Sequence, residues 1–168
     1  VGLRARHVFK DECFDIDSSL RTSFQLLEGE HPKAYVRDGD SSEFRARLEE
    51  AGLKVEVHKA GYRSIHYIVS SRPLQKIISA EVQVRTIVEE GWSEIDHRVR
   101  YPNFSNDPLI SLFLSIFNGL AGHADEMGSF VRSLVGSREE TRCHQEEARR
   151  KSAENNLALE VALSKVET

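Results

Sequence analysis

Gly61-Tyr62-Arg63-Ser64-Ile65-His66 and Glu81-Val82-Gln83-Val84-Arg85-Thr86 decide the fold. Both stretches belong to segments rich in β-branched residues, Ser64 to Val69 and Ile78 to Thr86, which read as strands. The connection from Ser70 to Ile77 makes them an antiparallel hairpin. Side chains alternate along a strand. Ala80, Val82 and Val84 therefore turn to a core, and Glu81, Gln83 and Arg85 share the opposite face. On the partner strand, Ser64, His66 and Ile68 alternate against Ile65, Tyr67 and Val69, which lets His66 join the Glu81 row.

An acid, an amide and a cation in one row suit a metal-bound phosphate substrate. The carboxylate suits Mg²⁺ and the guanidinium suits phosphate. A solvated sheet face would carry the same pattern. The turn Lys59-Ala60-Gly61-Tyr62-Arg63 combines two cations, a glycine and an aromatic ring. Tyr62 can stack on a base while Lys59 and Arg63 meet phosphates. A hairpin turn whose tyrosine covers the edge of the core is the simpler alternative.

Thr86 to Glu89 fits a capping box and starts a helix to about Arg100, with Trp92, Ile95 and Val99 on its buried face. Tyr101-Pro102-Asn103 ends it. His97 stands near that end, where contact with phosphate and a structural role are both open. Glu94 and Arg98 have the spacing of a helical ion pair.

Upstream, Gly2 to Phe9 reads as a strand, and Asp11 to Leu27 as a helix with Phe14, Ile16, Leu20, Phe24 and Leu27 near one stripe. Gly29 to Asp40 is a polar connection. Ser41 and Ser42 cap a short helix that Gly52 ends, and Leu53 to His58 alternates as a strand. Downstream, Asp107-Pro108 starts a helix with a broad apolar face, Leu109, Leu112, Phe113, Ile116, Phe117 and Leu120. Gly119, Gly122 and Gly128 mark close packing or a break within it. Ser137 to Glu140 reads as a second capping box. The charged segment that follows, poor in large apolar residues until Leu157, reads as an exposed helix or partner-binding arm. The expected division is a domain over residues 1–105 and a helical extension over 106–168.

The chain has 168 residues and a formal net charge of -4, so no global basic field points to nucleic acid. No apolar run reaches the roughly 18 residues that span a bilayer. The two cysteines, Cys13 and Cys143, form no C-x-x-C pair, and reduced thiols in a cytoplasmic protein are expected. There is no phosphate-binding P-loop, no H-E-x-x-H and no serine-hydrolase elbow. His7, His31, His58, His123 and His144 show no metal-ligand spacing and read as structural or exposed.

Together the segments resemble the synthetase domain of the RelA/SpoT family, over roughly residues 1–102. Gly2-Leu3-Arg4 resembles the family's G-x-R strand. Gly61 to His66 resembles G-Y-x-S-[IL]-H, and Glu81 to Thr86 resembles E-[IV]-Q-[IV]-R-T. Trp92 to His97, with Tyr101 after it, resembles the W-x-E-x-x-H helix. The resemblance implies an α+β fold with a mixed sheet flanked by helices. It implies transfer of pyrophosphate from ATP to the 3′-hydroxyl of GDP or GTP, with Mg²⁺. Tyr62 would stack on the acceptor guanine. Glu81 would bind Mg²⁺ and assist deprotonation of the hydroxyl, and Gln83 would orient substrate. Arg85, His97 and Lys59 would line phosphate positions, with Arg4 facing the nucleotide and Arg63, His66 and Tyr101 completing the binding set.

The family's metal-binding aspartate corresponds to a position ahead of Val1, as does its basic donor-binding region. The expectation is a chain that binds the acceptor without the donor half. Pro102 after Tyr101, and the segment before Lys59, resemble branches that act as toxins on the 3′ end of tRNA. Three readings follow: an alarmone synthetase, a tRNA-directed pyrophosphokinase, and a non-catalytic module that binds a nucleotide, or a partner through its C-terminal helix.

Overall fold

The computed structural model describes residues 2–59, 61–72, 76–101 and 107–164, with side chains as far as 157. Its elements are β1 (Gly2–His7), α1 (Glu12–Ser23), β2 (Gln25–Leu26), β3 (Lys33–Val36), α2 (Ser42–Glu50), β4 (Lys54–Val57), β5 (Ser64–Ser71), β6 (Ile78–Thr86), α3 (Ile87–Val99) and α4 (Pro108–Ser164). The sheet is mixed, as expected. Its order is β1-β6-β5-β3-β4, with β2 beside β5. β1 lies parallel to β6 and β3 parallel to β4, while β5 is antiparallel to both β6 and β3.

The hairpin carries the fold as its alternation requires. Ile65 pairs with Val84, His66 with Gln83, Tyr67 with Val82 and Ile68 with Glu81. One face of the sheet holds the core: Ala34, Val36, Ile65, Tyr67, Val69, Val82 and Val84, closed by Cys13 and Leu20 of α1 and Leu48 of α2. Tyr67 is wholly buried and donates its hydroxyl to Asp17 Oδ1 at 2.8 Å. Burial pushes that phenol well above the usual tyrosine range, and Asp17 adds to the rise.

Three expectations fail on the core side. The first helix stops at Ser23, not Leu27; Gln25 and Leu26 leave it to pair with Ser70 and Val69. Phe24 is consequently exposed. The supposed polar connection before Asp40 contains β3, a central strand between β5 and β4. Lys33-Ala34-Tyr35-Val36 buries only Ala34 and Val36 fully, too short an alternation to stand out. In α3, Trp92 is buried but Ile95 is exposed; the other buried positions are Glu89 and Glu90.

By contact density the chain falls into two units, Val1–Ser129 and Phe130–Thr168. The first turns of α4 thus belong with the sheet. Asp107 Oδ1 accepts from the backbone N–H of Leu109 and Ile110, the expected cap. The α4 residues that pack inward are Leu114, Asn118, Ala121 and Asp125, not the anticipated apolar stripe. Leu109, Leu112, Phe113, Ile116 and Leu120 are exposed. No helix begins at Ser137, because α4 runs through it unbroken. The second unit is an exposed charged helix, with pairs such as Lys151 Nζ–Glu147 Oε1 at 2.8 Å. Among the described residues no helix is long and apolar enough to cross a membrane.

Candidate nucleotide site

The face of the sheet opposite the core is a polar surface built from register alone. Arg4 pairs with Gln83, Gln83 with His66, His66 with Lys33, and Lys33 with Lys54. Residues paired across strands point to the same side. One cross-strand row therefore reads Arg4, Gln83, His66, Lys33, Lys54, with strands about 4.8 Å apart. Glu81 and Arg85 lie on the same face, one step to either side of Gln83. The expected grouping of Glu81, Gln83, Arg85 and His66 is present.

His66 Nδ1 lies 3.0 Å from Glu81 Oε1. Burial pushes the imidazole below its usual range, and the nearby Glu81 charge opposes that only partly. The ring is then neutral near pH 7, with its Nδ1–H donating to Glu81. Glu81 remains open to solvent on its other side, its side chain 40% exposed. Arg85 is buried rather than extended toward solvent. Its Nη1 donates to Ser93 Oγ at 2.7 Å and lies 3.5 Å from Glu90 Oε2, and its Nη2 donates to Gln83 Oε1. Its guanidinium also lies over the Tyr62 ring, 5.6 Å from the centroid.

Tyr62 follows Gly61, whose φ of 70° is a left-handed conformation that favours glycine. The ring is half-buried at the edge of this face. Its centroid is 4.0 Å from that of His58, 5.9 Å from Tyr35 and 6.4 Å from Trp92. Tyr35 in turn meets His66 edge-on at 5.0 Å. The turn and the strand row are thus one surface. Tyr35 and His58 are members that the sequence did not single out. Tyr35 lies on the unrecognised β3, and His58 lacks any motif of its own.

The remaining candidates fall in three places. Arg4 reaches α3, donating to Glu90 Oε1 at 2.7 Å and Glu94 Oε2 at 3.2 Å; these bonds raise its pKa further. Lys59 is exposed at the turn. His97 and Tyr101 stack on each other, centroids 5.5 Å apart, at the far end of α3. Arg63 does not accompany Tyr62. Successive side chains diverge, and Arg63 points into a buried ion cluster. There its Nε donates to Asp40 Oδ1 at 2.8 Å and its Nη2 donates to Glu126 Oε1 at 2.6 Å. A phosphate contact from Arg63 would require breaking those bonds.

Behind the turn, Arg37 Nε donates to the Gly61 carbonyl at 2.6 Å, and its Nη2 donates to Glu89 and Asn118. Thr86 Oγ1 accepts from the Glu89 N–H at 3.1 Å, so half of the capping box forms. The Glu89 side chain does not return to Thr86; it faces Arg37 and the Arg63 N–H. Burial pushes Glu89 up to about 7, against the pull of Arg37.

Folded Glu89 therefore holds a proton across the pH range in which an unfolded glutamate is already ionised. Its stabilising contribution is complete below the ordinary glutamate pKa of about 4.5 and is lost as pH rises through about 7. The size is on the order of 3 kcal/mol. Glu89→Gln is expected to remove this part of the stability decline between pH 5 and 8. Denaturant melts of both proteins at the two pH values measure it.

No group of three or more His, Cys, Asp or Glu side chains able to hold a metal occurs among the described residues. Glu81 is a solvent-facing carboxylate with one histidine neighbour. That fits Mg²⁺ bound by a single protein carboxylate together with substrate phosphates, and not a closed protein cage. Three buried polar atoms on this face have no hydrogen-bond partner: His66 Nε2, Arg85 Nε and Glu90 Oε2. Buried polar atoms are rarely left so, and a bound polar ligand would satisfy them.

Comparison with known proteins follows the same lines. GTP pyrophosphokinase YjbM of Bacillus subtilis (strain 168) is 33% identical over 86 residues, 48% of this chain and 40% of that protein. A GTP pyrophosphokinase family protein from Streptococcus pneumoniae superposes with a TM-score of 0.61 at 23% identity, covering 82% of this chain and 61% of that one. Small alarmone synthetase 1 from Bacillus subtilis, bound to its product pppGpp, gives a TM-score of 0.59 at 24% identity, with 80% and 62% covered. These two likenesses concern the fold. The chain spans 40% of the curated relative and about three fifths of the solved structures. The family described as "Region found in RelA / SpoT proteins" matches residues 1–106. The polar face of the β5–β6 hairpin, with its glycine–tyrosine turn, lies wholly within that match, and the chain belongs to the RelA/SpoT family.

Proposed function

We propose that this face binds the acceptor nucleotide of a pyrophosphokinase, with GDP or GTP as acceptor and ATP as donor. The observation that carries the reading is the convergence of Tyr62, His66, Glu81 and Arg85 on one surface, where His66 Nε2 and Arg85 Nε are buried without a hydrogen-bond partner. Tyr62 offers its ring to the base. Glu81, steered by the His66 N–H, takes the proton of the 3′-hydroxyl. The 3′-oxygen then bonds to the β-phosphorus of ATP, the bond from that phosphorus to the α,β-bridging oxygen breaks, and AMP leaves. Glu81 would hold Mg²⁺, which when bound would supply charge neutralisation for the phosphates. Arg4 and Arg85 add positive charge, and preorganised charge of this kind dominates such transfers.

A second reading has a specific observation in its favour. Lys33 and Lys54 extend the row two strands past His66, and Lys33 makes no ion pair among the described residues. A longer polyanion such as the 3′ end of tRNA would use that extension. The exposed apolar residues of α4 support association with a protein partner or a second copy. The free thiols, Cys13 and Cys143, suit the cytoplasm.

Labelled transfer separates the acceptors. A form extended ahead of Val1 with the family's aspartate and donor-binding region is given γ-labelled ATP with GDP, GTP and tRNA together. Label on GDP or GTP is expected. Label on tRNA would favour the second reading, and label on none of them would reject both.

A further inference from the structure

Arg37 belongs to no motif and touches none of the proposed substrate groups, yet it reaches three elements at once. It leaves β3 at the edge of the core and is largely buried, its side chain 13% exposed. Its Nε donates to the Gly61 carbonyl at 2.6 Å, immediately before Tyr62. Its Nη2 donates to Glu89 of α3, whose side chain is 1% exposed, and to Asn118 of α4. Glu89 Oε2 accepts from the N–H of Arg63, immediately after Tyr62, at 3.3 Å. Asp40 accepts from the Arg37 N–H at 2.8 Å and from the Arg63 guanidinium. The backbone on both sides of Tyr62 is therefore fixed through one arginine and its carboxylates.

α4 approaches it closely at one point. A side-chain carbon added at Gly122 of α4 would stand 1.6 Å from Arg37 Nη1, and one added at Gly61 would stand 3.0 Å from Asn118 Nδ2. A fork with several donors at fixed angles can serve a carbonyl, a carboxylate and an amide together, which a lysine ammonium on a flexible stem cannot.

We propose that Arg37 is a positioning residue for acceptor binding: it couples the first part of α4 and the start of α3 to the Gly61–Arg63 turn, and so sets the Tyr62 ring. This rests on the reading of Tyr62 as the base-stacking residue. Preorganising that ring spares the ordering cost when the base arrives.

The test uses the chain with Arg37→Lys, and with Asn118→Ala as a milder perturbation should the first variant unfold. Two quantities are read. Amide hydrogen exchange of Gly61 and Arg63 is expected to accelerate at least tenfold, while the β5–β6 ladder keeps its protection. GDP affinity is expected to weaken about tenfold. Exchange at the turn unchanged in the folded variants would overturn the positioning role, whatever the nucleotide does. Faster exchange at the turn with unchanged GDP affinity would overturn its link to acceptor binding. A parent chain that binds neither GDP nor GTP would reject the acceptor-site reading, while the exchange result would still stand for or against Arg37.

Discussion

Glu81→Gln is expected to lower pyrophosphate transfer by about 10²- to 10⁴-fold in the N-terminally extended form, the usual cost of losing a positioned general base. The glutamine keeps the size of the side chain and can still accept from His66 Nδ1. What it loses is the negative charge and the basicity that the proposed reading assigns to Mg²⁺ binding and to removal of the hydroxyl proton. Because Glu81 is half-exposed on the polar face of the sheet and outside the core, folding should be little affected. On the proposed reading the acceptor base is placed by Tyr62, on the neighbouring turn. GDP affinity is therefore expected to stay within about threefold, and the whole loss should appear in kcat. Initial rates against GDP concentration make the measurement. A tenfold loss in GDP affinity with kcat intact would mean that Glu81 serves binding and not chemistry.

The second large effect lies far from any motif. Gly122 sits inside α4, where alanine is ordinarily favoured over glycine by about 1 kcal/mol. Here the sign is expected to reverse. The added carbon would fall 1.6 Å from Arg37 Nη1 and 2.7 Å from its Cζ, so the guanidinium must shift. Its bonds to Glu89 and to the Gly61 carbonyl fix it where it stands, so a shift that clears the new carbon is expected to break them. Above pH 7, where Glu89 is ionised, breaking a buried ion pair from one side costs about 3–5 kcal/mol. Against the propensity gain, Gly122→Ala is expected to destabilise the chain by about 2–4 kcal/mol. A thermal or denaturant melt measures it, and an increase in stability would show that Arg37 has another place to go.

Gly122 also marks what the sequence could convey. Gly119, Gly122 and Gly128 signal a break or a close approach, and their spacing does not say which. Contact with Arg37 arises because β3 brings that arginine beside α4, and β3 itself was hidden. Only Ala34 and Val36 of its four residues pack into the core, and the flanking segment is rich in charge. The hairpin was legible because apolar and polar residues of β6 alternate from Ile78 to Arg85. Its register then placed Glu81, Gln83 and His66 together with no further information.

The ion cluster was not legible, because local patterns assume that charges seek water. Arg63 stands within a nucleotide-site motif, yet Asp40 and Glu126 hold it on the other side of the turn. Glu89 completes the spacing of a capping box, yet its side chain serves Arg37. Each residue satisfies a local rule whose outcome is decided by a partner distant in sequence. The apolar stripe of α4 misleads in the opposite sense: Leu114, Asn118, Ala121 and Asp125 face inward, because polar groups there answer Arg37, Thr86 and Trp92.

Trp92 supplies the most direct measurement. It is the sole tryptophan of the chain, is buried, and lies 6.4 Å from the Tyr62 ring. A guanine stacked on Tyr62 would come within reach of its excited state. Titrating GDP into the unmodified chain, with Mg²⁺ present, is expected to quench Trp92 fluorescence in a saturable manner, and Tyr62→Ala should abolish most of the response. Saturable GDP binding that Tyr62→Ala leaves unchanged, or no binding at all, would contradict the placement of the acceptor on this face.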